Sequence, residues 1–162
     1  MLQKLVCFEL AGQSFGLPIR SVKETLPTRP LTRVCLVPPI IAGLMNLRGE
    51  VVAVLDLAQM VGLSRRAGNG DSSVVILRAP ESWSGRAQSQ DRAACGLAVD
   101  RLLGVRDVDD ATLRDPPASL DAEGASYLRG VAAVGDPPQA LAVLDAERVL
   151  GSDRLKPYRR NK

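Results

Sequence analysis

Histidine is absent from the 162 residues, and aromatics make up only 3% of them. Without imidazole there is no Ser-His-Asp triad, no histidine general base and no imidazole-bound metal. With two Phe, two Tyr and one Trp in the chain, Val, Leu, Ile and Ala must fill the core. Cysteine is scarce too. Cys7, Cys35 and Cys95 are odd in number, far apart and without a C-x-x-C pair, which argues against a zinc knuckle or a disulfide framework. All three are expected as small buried hydrophobes in a reducing compartment. No apolar run approaches the 18 or so residues of a membrane span. The N-terminus MLQKLVCFEL is broken by Glu9 and has no small-residue cleavage site, so it is not read as a signal peptide. The expectation is a soluble, cytoplasmic protein.

Charge of one sign is also missing from the body. The net charge is +3, but the last ten residues carry five basic groups and one acid, which leaves the rest at −1. A nucleic-acid footprint needs basic groups clustered on a folded face, and here they crowd a short polar tail expected to fray. A small-barrel nucleic-acid-binding protein is the alternative reading. It would need aromatics on strands, and Phe8, Phe15 and Tyr127 are too few for it.

What is present is a series of short apolar runs between turn residues. LVCFEL (5–10) and SFGLPI (14–19) flank a hairpin gap containing Gly12. EVVAVLDL (50–57), SSVVILRA (72–79), AACGLAVD (93–100), GVRDVDD (104–110), GVAAVG (130–135) and QALAVLD (139–145) read as further strands. VCLVPPI (34–40) holds two adjacent prolines, which make it an edge or an ordered loop. Two short helices are expected at 56–63 and 145–151, capped by Asp56 and Asp145 and stopped by Gly62 and Gly151. Many short strands with so few helices indicate a barrel or sandwich. An internal echo supports two similar units: LRG at 47–49 and 128–130, and AVLD at 53–56 and 142–145. Two stretches, 80–92 and 114–126, are expected as loops. Trp83 in the first either folds back on the barrel or stands as an exposed contact.

Catalytic motifs fail on inspection. No G-x-S-x-G elbow occurs, and GLSRRAGNGDSS (62–73) lacks the Lys-Ser/Thr of a phosphate loop. Asp56, Asp100 and Asp145 end strands, where an aspartate before a helix most often caps it. One polar pair stands out, Glu24 in RSVKETL and Arg48 in NLRGEVV. Both sit among apolar neighbours, where long charged side chains are seldom found without a partner. Beside them, Ile40 and Met45 follow Pro38–Pro39 and read as adaptable aliphatic contacts, whereas Ile41 and Leu44 read equally as core.

These residues carry a resemblance. Phe8-Glu9-Leu10 with FGLPI (15–19), SVKE (21–24) and PPIIAGLMNLRGEVVAVLDL (38–57) resemble the CheW-like family of bacterial chemotaxis coupling proteins. CGLAVDRLLGV (95–105) is similar to that family's G-L-x-V-D strand, and YLRGVAAVG with ALAVLDAERVL (127–150) to its last hairpin and closing helix. The stretch G-x-x-N-L-R-G followed by Asp-Leu is the specific part. Ala53, Thr25, Cys35 and the long loop 80–92 depart from the family pattern and bear on which partner is used.

The resemblance implies a mainly β fold of two SH3-like five-stranded barrels around a shared hydrophobic core, with short helices including a C-terminal one. It implies a single domain over 1–152, a subdomain boundary near 64–92 and a flexible basic tail at 153–162. The basic C-terminus, with no linker beyond it, favours a complete chain over a fragment of a larger fusion. The implied function is non-enzymatic and free of cofactors. It is an adaptor between the cytoplasmic tip of methyl-accepting chemoreceptors and the regulatory domain of a CheA-type histidine kinase. Nucleic acid is not a partner in this reading, and membrane contact is only indirect. Glu24, Arg48, Ile40, Met45 and Asn46 are the expected receptor-coupling residues. Gly43, Gly49, Asp56 and Asp145 are expected in structural roles.

Overall fold

The structure is a computed structural model that describes residues 1–64, 72–80, 92–116, 118 and 121–158. Ten strands run as β1 (Leu2–Leu10), β2 (Gln13–Pro18), β3 (Val22–Pro27), β4 (Ile41–Leu47), β5 (Glu50–Asp56), β6 (Ser73–Arg78), β7 (Ala93–Val99), β8 (Arg101–Asp109), β9 (Leu128–Val134) and β10 (Gln139–Leu144). Among the described residues three one-turn helices accompany them, α1 (Leu57–Met60), α2 (Ala122–Ser126) and α3 (Ala146–Leu150). The strands form two five-stranded sheets, ordered β8-β1-β2-β10-β9 and β3-β6-β7-β5-β4.

The continuous apolar runs follow from burial on both faces of a strand. In β1, Leu5 and Cys7 enter a cluster lining the inner face of the first sheet, with Leu141 and Val143. Val6, Phe8 and Leu10 point the other way, into the core shared with the second sheet. In β6, Val74 and Ile76 face an inner cluster of the second sheet, while Val75 and Leu77 face the shared core. Phe8 and Phe15 are cross-strand neighbours in that shared core and stack with centroids 6.1 Å apart. The two phenylalanines are thus spent where the sheets meet.

The sheets repeat one plan. Val54 of β5 pairs in parallel with Gly96 of β7, and Val143 of β10 pairs in parallel with Gly16 of β2. Each glycine admits its neighbours closely: a Cβ at Gly96 would meet Val74 Cγ1 at 2.7 Å, and one at Gly16 would meet Leu5 Cδ1 at 3.2 Å. Both AVLD segments end in an aspartate that caps the following helix. Asp56 accepts from the Gln59 amide, and Asp145 from those of Glu147 and Arg148. The LRG echo does not align the units. Gly43, opposite Val54, corresponds to Gly130, opposite Val143. Beside them the bridges Thr32–Leu44 and Arg114–Val131 are equivalent. Leu47-Arg48-Gly49 therefore matches Val134-Gly135-Asp136.

Several expectations need correction. The crossings between sheets lie at the single turn Ile19–Ser21 and at Asp100, not near 64–92. The second unit is an insertion between β2 and β8, and a polar loop inside it resembles a linker in sequence. The 114–126 stretch contains α2, capped by Asp121 through the Gly124 amide. Asp153–Tyr158 form a 3-10 helix, with Leu155 only 8% exposed in the shared core, so the ordered chain runs past 152. Cys7 and Cys95 are buried, but Cys35 is exposed on the β3–β4 loop. Trp83 and residues 159–162 lie outside the described residues.

Candidate partner-binding site on the second sheet

Glu24 lies on edge strand β3, and Arg48 lies in the turn between β4 and β5. The turn has two central residues, Arg48 at φ 51° and Gly49 at φ 88°, both left-handed. Such turns match the twist of the strands they join. Glycine takes the second position freely, but for arginine the left-handed conformation costs about 1–2 kcal/mol. Asn46 holds the turn, its Oδ1 accepting from the Gly49 amide at 2.8 Å.

From that turn the Arg48 guanidinium donates through Nη1 to Glu24 Oε2 at 2.8 Å. The two ends of the pair differ. The Arg48 side chain is 70% exposed and that of Glu24 21%. Glu24 Oε1 is buried and accepts no hydrogen bond. An ion pair this exposed is worth only about 0–1 kcal/mol, which does not exceed the strain at Arg48. The arrangement presents a cation in a fixed pose, backed by a carboxylate with spare accepting capacity.

The other expected residues divide. Asn46 is exposed, although its oxygen serves the turn. Ile40 and Met45 are 1% and 4% exposed. Ile40 belongs to the shared core and Met45 to the inner cluster of the second sheet. Their side chains therefore lie beneath the surface that carries the ion pair, and in β4 the inward positions are Gly43, Met45 and Leu47. Leu44 and Asn46 point outward. Across from Asn46 stands Val51, 67% exposed, and across from Leu44 stands Ala53. Val51 does not stand out in the sequence, although inward Val52 and Val54 imply by strand periodicity that it faces out. Gly43 sits where a Cβ would come within 2.9 Å of Leu31 Cβ and Thr32 O.

This surface pairs ions and offers apolar contact, but it has no nucleophile–base pair. Among the described residues no group of three His, Cys, Asp or Glu could hold a metal. No helix there is long and apolar enough to cross a membrane.

Fold and surface together describe a chain of two sheets with a displayed ion pair, and comparison with known proteins agrees. The model of the CheW-like domain matches residues 4–154. The chain belongs to the CheW-like domain family. It is 27% identical to the chemotaxis protein CheW of Treponema pallidum, over 94% of this chain and 85% of that one. It is also 27% identical to protein FrzA of Myxococcus xanthus, over 95% and 89% respectively. The crystal structure of the scaffolding protein TtCheW from Thermoanaerobacter tengcongensis superposes with a TM-score of 0.72 at 27% identity, covering 90% of this chain and 85% of that one.

Proposed function

We propose that the protein is a non-enzymatic, cytoplasmic adaptor that joins the cytoplasmic tip of a chemoreceptor to the regulatory domain of a CheA-type histidine kinase. Membership of the CheW-like family supports this reading, as do relatives named for chemotaxis and for scaffolding. The observation that carries it is the Glu24–Arg48 pair. Arg48 is held in a left-handed turn with its charge largely exposed, at a site that returns little stability. Strain retained at a displayed charge is accounted for by a bound partner. The receptor contact is made by Arg48, Glu24 and Asn46 with Val51 and Leu44 beside them.

Reconstitution tests the whole reading. The purified chain, a receptor signalling fragment and the kinase should co-sediment as one complex. Kinase autophosphorylation should respond to the receptor only when the chain is present. Two binary complexes that exclude one another, or a receptor response without the chain, would refute the adaptor role.

A further inference from the structure

The repeated plan supplies an internal control for each position of the first sheet. Through the shared pairings, Cys7 corresponds to Ile76, Ala132 to Met45 and Val134 to Leu47. By the same register Gly104 corresponds to Glu24, Gly135 to Arg48 and Arg106 to Leu26. The second sheet fills its inner face with the larger member of the first three pairs and spans its open edge with the Glu24–Arg48 ion pair. The first sheet has a smaller residue at all five of those places. Two of these smaller residues, Cys7 and Val134, line a cavity of about 150 Å³, floored by Cys7, Leu103 and Leu141 and rimmed by Glu9, Arg101 and Arg106.

The charges at its rim are unequal. Arg101 is held by Glu9 Oε2 at 3.0 Å. The Arg106 guanidinium has no hydrogen-bond or ion-pair partner among the described residues. A Cβ at Gly135 would lie 3.9 Å from its Nη1, so the guanidinium reaches the place that corresponds to Arg48. Burial holds the Cys7 thiol above its ordinary value while the Arg106 charge pulls it the other way, so that charge acts on the cavity floor. In short, the first sheet keeps an arginine at this edge and lacks the carboxylate that the second sheet supplies.

We infer that this cavity binds a carboxylate from outside the chain, with Arg106 as its guanidinium partner. A planar guanidinium matches a carboxylate with two parallel hydrogen bonds. At roughly 30 Å³ per water-sized group, the space admits about five such groups, enough for a carboxylate on a short aliphatic stem. Leu103 and Leu141 suit that stem. A doubly charged phosphate fits less well, because Glu9 repels it and Arg106 is the one uncommitted cation at the rim. The carboxylate comes either from an acidic side chain of a protein or from a free small acid.

Nuclear magnetic resonance on the labelled full chain decides. Acetate, succinate and an acetylated glutamyl peptide amide are titrated separately, with chloride as the salt control. Saturable shifts are expected at Cys7, Arg106 and Gly135 and not at Glu24 or Arg48. Arg106→Leu, which installs the residue found at the equivalent Leu26, should keep the thermal midpoint and weaken binding at least about tenfold. Arg106→Gln serves as the second variant should the first lose its fold. Tighter binding of the peptide than of either free acid assigns the carboxylate to a protein partner, and the reverse order assigns it to a small acid. No saturable shift with any probe, or shifts that persist in both variants, overturns the inference.

Discussion

The two sheets share strand order, glycine positions and helix caps, yet they differ at the edge between the first and last strands of each. In the second, the gap between β3 and the β4–β5 turn is spanned by Glu24 and Arg48, and large aliphatic residues fill the space beneath. In the first, Gly104 and Gly135 stand at the matching places, and a cavity lies between Cys7, Leu103, Val134 and Leu141. Backbone pairing and the interior glycines set the frame, and edge side chains set what each half can hold. A duplicated frame therefore need not duplicate a binding site, and each half shows what the other lacks.

The largest expected effect tests whether the halves are one cooperative unit. Phe8 is fully buried in the core that both sheets share. Phe8→Ala should cost about 3–5 kcal/mol. Denaturant unfolding should stay a single transition by far-UV dichroism and by sheet-specific amide exchange. Two separated transitions would show that the halves fold independently.

A smaller effect compares the equivalent glycines. A methyl at Gly96 meets Val74 at 2.7 Å, with Ile76 and Val54 behind it, while one at Gly16 meets only looser contacts of 3.2 Å or more. Gly96→Ala should destabilise by about 1–3 kcal/mol, and Gly16→Ala by less. Equal losses in urea midpoints would mean that the second sheet is not the more tightly filled.

Alkaline pH sharpens the same contrast. Burial in the shared core pushes the Cys95 thiol up to about 12, above the ordinary value of 9.0. A raised folded-state value stabilises the protein fully below pH 9 and is lost as pH rises toward 12, at no more than about 1.4 kcal/mol per pH unit. Cys95→Ala should flatten the alkaline fall in stability. Cys7→Ala should flatten it less, because the Arg106 charge opposes burial there. Identical pH profiles for the two variants would contradict the difference in surroundings.

The legible parts of the fold are those where burial leaves a repeating mark. β1, β6, β7 and β10 are buried on both faces and read as unbroken apolar runs. The caps at Asp56 and Asp145 follow from an aspartate between a strand and a helical turn. β3 was not legible: its exposure alternates and it ends in Pro27, so nothing in KETLP separates it from a loop. β4 hid behind Gly43, which is selected by the closeness of Leu31 and Thr32 and not by strand preference. Ile40 and Met45 read as contacts in the sequence, because proximity to Arg48 does not reveal that both side chains are buried. Glu24 and Arg48 were legible as a pair because charge among apolar neighbours calls for a counter-charge. The cavity is not, since its lining is spread over β1, β2, β8, β9 and β10.

The central claim is that the Glu24–Arg48 edge serves a partner and not the fold. The direct measurement is a pair of calorimetric titrations of Arg48→Ala, one with a receptor signalling fragment and one with the isolated kinase regulatory domain, alongside thermal unfolding. Stability should change by no more than about 1 kcal/mol, since an ion pair this exposed is worth no more than that and Ala keeps the same left-handed strain. Receptor affinity should fall at least about tenfold, as for a lost charge-assisted hydrogen bond, while kinase-domain affinity is largely kept. Equal loss of both affinities, or a large drop in the melting temperature with receptor binding intact, would contradict the account.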